Sequence, residues 1–242
     1  MVSSHETLDG VADSLVEEEL GIVHWASLVP VVAEVATAAA LICLDPGHNT
    51  LAAVGRQTEP IGPHSPIRKI KDGGGAPGEA AVALTIAVKA RSLLRAAGYR
   101  VALTRGTRPY AGGNIARARF CNVRRAALMI RVHADGSSNA SLHGVQTLYP
   151  AFHRGWTDDI YVQSLRAARV VHAAVVRATG AADLGLTPRA DLTGFNWADV
   201  PAILVETGFM TNPVERRRLE SPSYQLRVAR GLVAGTQAFV RP

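Results

Sequence analysis

Two histidines and two glutamates hold the chemistry that this chain could perform. His48 follows the run Leu41-Ile42-Cys43-Leu44-Asp45-Pro46-Gly47, His133 closes Leu128-Met129-Ile130-Arg131-Val132, and Glu206 closes Pro201-Ala202-Ile203-Leu204-Val205. Each run is short and apolar, the pattern of a buried strand. Glu79 instead follows the turn segment Asp72-Gly73-Gly74-Gly75-Ala76-Pro77-Gly78 and opens a helical repeat through Val82, Ile86, Ala90, Leu93, Leu94 and Ala97. If the three strands are parallel, all four side chains reach one carboxyl edge, where open α/β sheets bind their ligands. Two imidazoles and one carboxylate make the three-ligand set of a hydrolytic zinc site with its fourth position left to water, and a further carboxylate can serve as general base. Residue type alone does not divide the two glutamates between those roles. Each group also has a plain structural reading: His48 as a turn histidine bonded to backbone, Glu79 as a first-turn carboxylate stabilised by the helix dipole by ~0.3–1 kcal/mol.

The elements that must position these groups alternate along the chain. Tyr99 to Arg105 reads as a strand, residues 115–126 as a helix, His143 to Pro150 as a strand, Ile160 to Thr179 as a helix, and Ala181 to Asp199 as an irregular connection. Asn212-Pro213-Val214-Glu215 opens a helix with a cap, an N1 proline and an early carboxylate, and a terminal helix runs from Tyr224 to Val240. The expectation is a single α/β domain with a mainly parallel twisted sheet flanked by helices on both faces. Residues 49–78 form a long proline- and glycine-bearing loop, which points to function.

Charge is distributed unevenly. Residues 1–55 contain no Lys or Arg and eight acidic residues, so all 26 basic residues and the other 12 acidic ones lie in residues 56–242, within a net charge of +6. A basic body favours polyanions, either an anionic membrane or an anionic wall polymer. With no aromatic-studded basic stripe, zinc finger or glycine-rich phosphate loop, nucleic acid is not the expected partner. Residues 1–40 read as an N-terminal extension, an acidic amphipathic helix followed by an apolar Ala/Val-rich segment. Its acidic start does not fit a secretory signal, and Pro30 and Glu34 make a poor spanning helix, so membrane contact of residues 21–40 stays open. The opposite charges predict that the extension docks on the basic body. Cys43 and Cys121 read as free buried thiols, a bridge between them being the alternative.

Taken together these motifs resemble the catalytic domain of the zinc-dependent N-acetylmuramoyl-L-alanine amidases of the type-3 family. Leu44-Asp45-Pro46-Gly47-His48 is similar to that family's opening metal motif, Gly78-Glu79 to its glutamate ligand, and Val132-His133-Ala134-Asp135 to the motif of its second histidine. Val101-Ala102-Leu103-Thr104-Arg105 and Arg117-x-x-x-x-Asn122 resemble the intervening segments, and Pro201 to Pro213 resembles the segment of the catalytic glutamate. The resemblance implies one zinc ion on His48, Glu79 and His133, and Glu206 as the general base. It implies a peptidoglycan hydrolase that cuts between N-acetylmuramic acid and L-alanine, working as a monomer on peptidoglycan or muropeptides in the cell envelope or outside the cell. A wall-binding regulator that holds zinc without turnover, and a zinc carboxypeptidase acting on stem peptides, are the alternatives. The domains are then 1–40, the extension, and 41–242, the catalytic domain. Arg131 and Ala127 depart from the family pattern, as does the length of the loop over residues 49–78. Asp45 is read either as a partner orienting His48 or as an Asx-type turn cap. Asn122 and Arg117 are read as structural, as are His64, His143, His153 and His172, His64 being set apart only because it lies in the long loop beside the site.

Overall fold

Three apolar runs make the middle of a six-stranded sheet: β1 (Leu41–Pro46), β5 (Leu128–Asp135) and β8 (Ala202–Phe209), the last buried at every position. The computed structural model describes residues 39–49, 56–108, 110 and 112–241. The chain divides into Met1–Ala36 and Thr37–Pro242. What the sequence predicts for residues 1–40, including docking of the extension and membrane contact of residues 21–40, falls outside the described residues except at Ala39 and Ala40.

With β4 (Arg100–Leu103), β6 (Val145–Pro150) and β7 (Asp183–Arg189) the strand order is β4-β1-β5-β8-β6-β7. Every neighbouring pair is parallel except β6 with β8. The expected fold class holds. Helices α1 (Glu79–Ala96), α3 (Tyr161–Thr179) and α6 (Pro222–Val240) cover one face, with α6 packed against both of the others. At the crossing of α6 and α3 the backbones approach so closely that a Cβ at Gly231 would lie 2.6 Å from the Val175 Cα. The short helices α2 (Asn114–Asn122) and α4 (Thr193–Asn196) lie against one another and belong to the opposite face.

Strand parity then decides where the functional groups go, because alternate residues of a strand face opposite sides. Ile42, Leu44, Leu128, Ile130, Val132, Ile203 and Val205 join the core under α1, α3 and α6, whereas Cys43, Met129, Ala202 and Leu204 join the core that includes Phe195 and Cys121. Asp45, Arg131, His133 and Glu206 share the parity of this second set, and the pairing of His133 with Glu206 sets those two side by side. The candidate groups therefore lie on the more thinly covered face, toward the carboxyl ends of the strands, and β5 and β8 do not close at His133 and Glu206 as expected but continue to Asp135 and Phe209.

Three expectations are corrected. Cys43 and Cys121 form a disulfide between β1 and α2 instead of remaining free thiols. The region from Ala181 to Asp199 is not irregular but holds β7 and α4; β7 carries Gly185 and Pro188, which an edge strand tolerates and which hide it from a periodicity reading. The long loop contains a hairpin, β2 (Thr58–Pro60) with β3 (Arg68–Ile70). The predicted start of α5 (Pro213–Glu220) is present, with the Asn212 side chain accepting from the Val214 and Glu215 amides.

Candidate metal centre

The turn after β1 delivers His48 in a left-handed conformation, φ 56°, which a residue with a Cβ adopts only when its surroundings hold it there. The surroundings are two buried arginines. Arg117 donates to the Pro46 carbonyl at 2.7 Å and to the His48 carbonyl at 2.6 Å, and Arg105 donates to the Gly47 carbonyl at 2.7 Å and to the Ala80 carbonyl at 2.7 Å. Arg105 thus ties the His48 turn to the first turn of α1, where Glu79 stands. Gly47 permits close packing, since a Cβ there would meet the His133 ring at 2.5 Å.

Asp45 underlies this arrangement without touching His48. It accepts from Arg117 at 2.7 Å, from Arg131 at 2.8 Å and from the Thr104 hydroxyl, and is fully buried. Burial alone would raise its pKa; Arg117 and Arg131 outweigh that and hold the carboxyl well below the ordinary carboxylate range. Neither reading of Asp45 made from the sequence survives. It is the counter-ion that keeps two buried arginines under the turn, and Arg131 belongs to this floor.

His48, Glu79 and His133 each offer a donor atom, and the three atoms lie within 4.8 Å of one another. Glu79 Oε1 is 3.1 Å from His48 Nε2 and 2.9 Å from His133 Nδ1, while Oε2 accepts from the Ala76 amide at 2.9 Å. Burial opposes ionisation of Glu79, and its contacts with His133 and His48 overcome that and hold it ionised. For His48 burial disfavours the charge, yet hydrogen bonds to Asp72 and Glu79 prevail and raise its pKa to about 9. His133 goes the other way: burial dominates and lowers it to about 4, so it is neutral at pH 7 and has a lone pair for a ligand.

Glu206 is fourth in the cluster and does not share in these contacts. Burial, then the charges of Glu79 and Asp135, push its carboxyl well above the usual range. Among the described residues, its Oε2 and the His133 Nε2 are the buried side-chain polar atoms without a hydrogen-bond partner. An unpartnered imidazole nitrogen beside a donor set of two histidines and one carboxylate fits a divalent metal such as zinc. All four side chains line a cleft of about 640 Å³.

Residues 42–238 match the family described as "N-acetylmuramoyl-L-alanine amidase". The chain belongs to that amidase family. It is 30% identical over 217 residues to the N-acetylmuramoyl-L-alanine amidase Rv3717 of Mycobacterium tuberculosis, covering 83% of this chain and 86% of the relative. Among solved structures it is similar to the amidase Ami1 of Mycobacterium smegmatis, with a TM-score of 0.73 and 29% identity over 84% of this chain and 98% of that one. Ami1 of Mycobacterium abscessus gives a TM-score of 0.75 at 28% identity, over 84% of this chain and 100% of that one.

Within this amidase fold, the sequence overlooked Asp72. Its Oδ1 lies 2.9 Å from His48 Nδ1, and it is held by the Gly74 amide at 2.8 Å and by Asn49 Nδ2 at 3.0 Å. A carboxylate behind a histidine fixes the ring and its tautomer. In the sequence Asp72 heads a glycine run and reads as a turn residue; nothing local marks it. His64, read as a plain residue of the long loop, is exposed and does not line the cleft. His172 is buried away from it, between the Thr147 hydroxyl and Asp183. Asn122 is structural as expected, bonded to Trp197 and Asp199, whereas Arg117 is structural in a way that reaches the site through the His48 turn.

Proposed function

We propose that this peptidoglycan amidase hydrolyses the amide between the lactyl group of N-acetylmuramic acid and L-alanine, with His48, Glu79 and His133 holding one zinc ion and Glu206 moving the proton. The observation that carries this reading is a buried glutamate of raised pKa beside a His-Glu-His donor set. When bound, zinc supplies polarisation of the scissile carbonyl and activation of a water molecule. The protein side of the reaction follows from the cluster. Asp72 keeps His48 turned with Nε2 toward Glu79, and the Ala76 and Ala134 amides hold the Glu79 carboxylate. Glu206, whose Oε2 has no hydrogen-bond partner, accepts a proton from the attacking water and returns it to the amine nitrogen as the C–N bond breaks. A raised pKa suits a group that must both take and give a proton near neutral pH.

All four groups come from one chain, which supports action as a monomer. The Cys43–Cys121 disulfide supports a site of action in an oxidising compartment, at the cell envelope or outside the cell. No helix among the described residues is long and apolar enough to cross a membrane. Incubation of the purified chain with muropeptides, followed by mass analysis, tests the proposal. Release of stem peptides that begin with L-alanine is expected. Loss of a C-terminal residue from the stem would make the chain a carboxypeptidase, and zinc uptake without any product would make it a wall-binding regulator.

A further inference from the structure

The two faces of the sheet differ in charge. Asp72, Glu79, Asp135, Asp191 and Glu206 all line the cleft. On the opposite side α6 packs against both α1 and α3, and in this layer Glu79 is the one acidic residue of α1 while α3 and α6 have none. Arg95 of α1, Arg166, Arg169 and Arg177 of α3, and Arg227 and Arg230 of α6 are exposed, and Lys89 and Arg91 of α1 are half-buried. An acid three or four residues from such a base would steady the helix, yet none is placed there. Among the described residues none of the six exposed arginines forms an ion pair. Arg166 lies 4.3 Å from the centre of the Phe239 ring, Arg227 lies 5.4 Å from that of Tyr224, and Arg95 donates to the Val101 carbonyl at 3.4 Å. These contacts hold the side chains without cancelling their charge.

The shape of the layer narrows the kind of partner. The helices have 18 or 19 residues. Each is therefore ~27 Å long, and three of them side by side at ~8–10 Å make a plane that extends well beyond the Debye length of ~8 Å at physiological salt. Charges spread that far act together only on a partner that meets the whole plane at once. The clefts of about 640 Å³ and 480 Å³ take no residue from α3 or α6, so neither offers a chain-like polyanion a groove on this face. Other exposed positions of the three helices are small or apolar, as at Ala96, Val162, Ala234 and Ala238, and put no acid in the way of a flat surface.

We propose that the outer face of α1, α6 and α3 adsorbs to the headgroups of an anionic phospholipid bilayer. Guanidinium groups suit this contact, because their forked donors match the oxygens of a phosphate and stay charged at any physiological pH. Adsorbed by this face, the protein turns its cleft away from the lipid. No residue of the cleft takes part, so the contact is independent of the reaction catalysed there.

The test is co-sedimentation of the full chain with vesicles of phosphatidylcholine alone and of phosphatidylcholine mixed equally with phosphatidylglycerol. Binding to the mixed vesicles only is expected, and it weakens as salt shortens the Debye length from ~10 Å at 0.1 M to ~3 Å at 1 M. Arg169→Gln, Arg177→Gln, Arg227→Gln and Arg230→Gln combined lower the affinity ~10²-fold or more, since a cation close to an anionic leaflet is worth roughly fivefold. Lysine at the same four positions keeps most of the binding. Arg56→Gln, Arg68→Gln, Arg119→Gln and Arg124→Gln combined remove the same charge from exposed positions outside the three helices and cost less than ~tenfold. Thermal melting checks each fold; if the first set melts early, Arg169→Gln with Arg230→Gln decides instead, with a loss of ~20-fold expected. Equal binding to both kinds of vesicle, no binding at low salt, or equal losses in the two glutamine sets would overturn the assignment. Capture by immobilised polyphosphate without capture by vesicles would overturn it too, in favour of a polymer.

Discussion

The floor of the cleft and its hairpin wall are built on different principles. The floor is three adjacent strands whose ends are gripped from below by buried charge: Asp45 is fully buried and Arg117 is 1% exposed, and between them they fix the backbone from Pro46 to His48. The wall, residues 56–75, has two strands of three residues each and no comparable core. It is tied down at separate points: Trp197 and Trp156 donate to the Pro60 and Pro63 carbonyls at 3.1 Å each, Asn196 donates to the Ile61 carbonyl at 3.0 Å, and Glu59 accepts from the first amides of α2. The floor stands or falls as a unit because its charges have no water to turn to. The wall can lose one tie and keep the others, which makes it the region where substrate preference can vary without loss of the chemistry.

Substitutions at the two regions sharpen this contrast. Glu206→Gln in the floor removes the proposed proton carrier while leaving the three donors in place; kcat is expected to fall ~10²–10⁴-fold with zinc content unchanged by metal analysis. Arg117→Met leaves Asp45 short of a partner in the dry interior and costs about 3–5 kcal/mol, read as a lower urea midpoint. Asp45 also gives the floor a pH signature. Its folded pKa lies below the unfolded value, so its contribution is present above about pH 4 and is lost as the pH falls toward the folded value. Urea midpoints measured from pH 7 downward decline through that window, and Asp45→Asn, less stable at pH 7, declines less steeply.

Effects at the wall are smaller. Asp72→Ala frees the His48 ring and weakens zinc binding ~10–100-fold in competition with a chelator, with little change in the urea midpoint. Trp156→Phe deletes a single donor to Pro63, costs ~0.5–1.5 kcal/mol, and leaves the kcat for a minimal muropeptide as it was. A floor-sized loss from Trp156→Phe would erase the distinction between the two regions.

The same division explains what could be read from the sequence. The runs ending at His48, His133 and Glu206 announce themselves because both sheet faces are covered at their core, so the letters before the functional residue are apolar apart from Asp45 and Arg131. Glu79 is legible because a helical repeat starts at it. Asp72 and the hairpin are not: Asp72 meets His48 and Asn49, 24 and 23 residues away, and a hairpin carbonyl such as that of Pro63 meets Trp156, 93 residues away, contacts that leave no periodic trace. Asp45 was visible, but its partners were not: Arg117 and Arg131 come to it only when α2 and β5 are packed beside β1. The disulfide escaped for the same reason, as Cys121 sits in a helix whose position against β1 no local pattern reveals.

The central claim is that three side chains remote in the chain hold one zinc ion. Anomalous diffraction at the zinc edge, from crystals of the zinc-loaded chain, tests it most directly. One peak is predicted, ~2.0–2.2 Å from a nitrogen of His48, a nitrogen of His133 and an oxygen of Glu79. A peak bound by other residues, or none at this cluster at full zinc loading, would contradict the account.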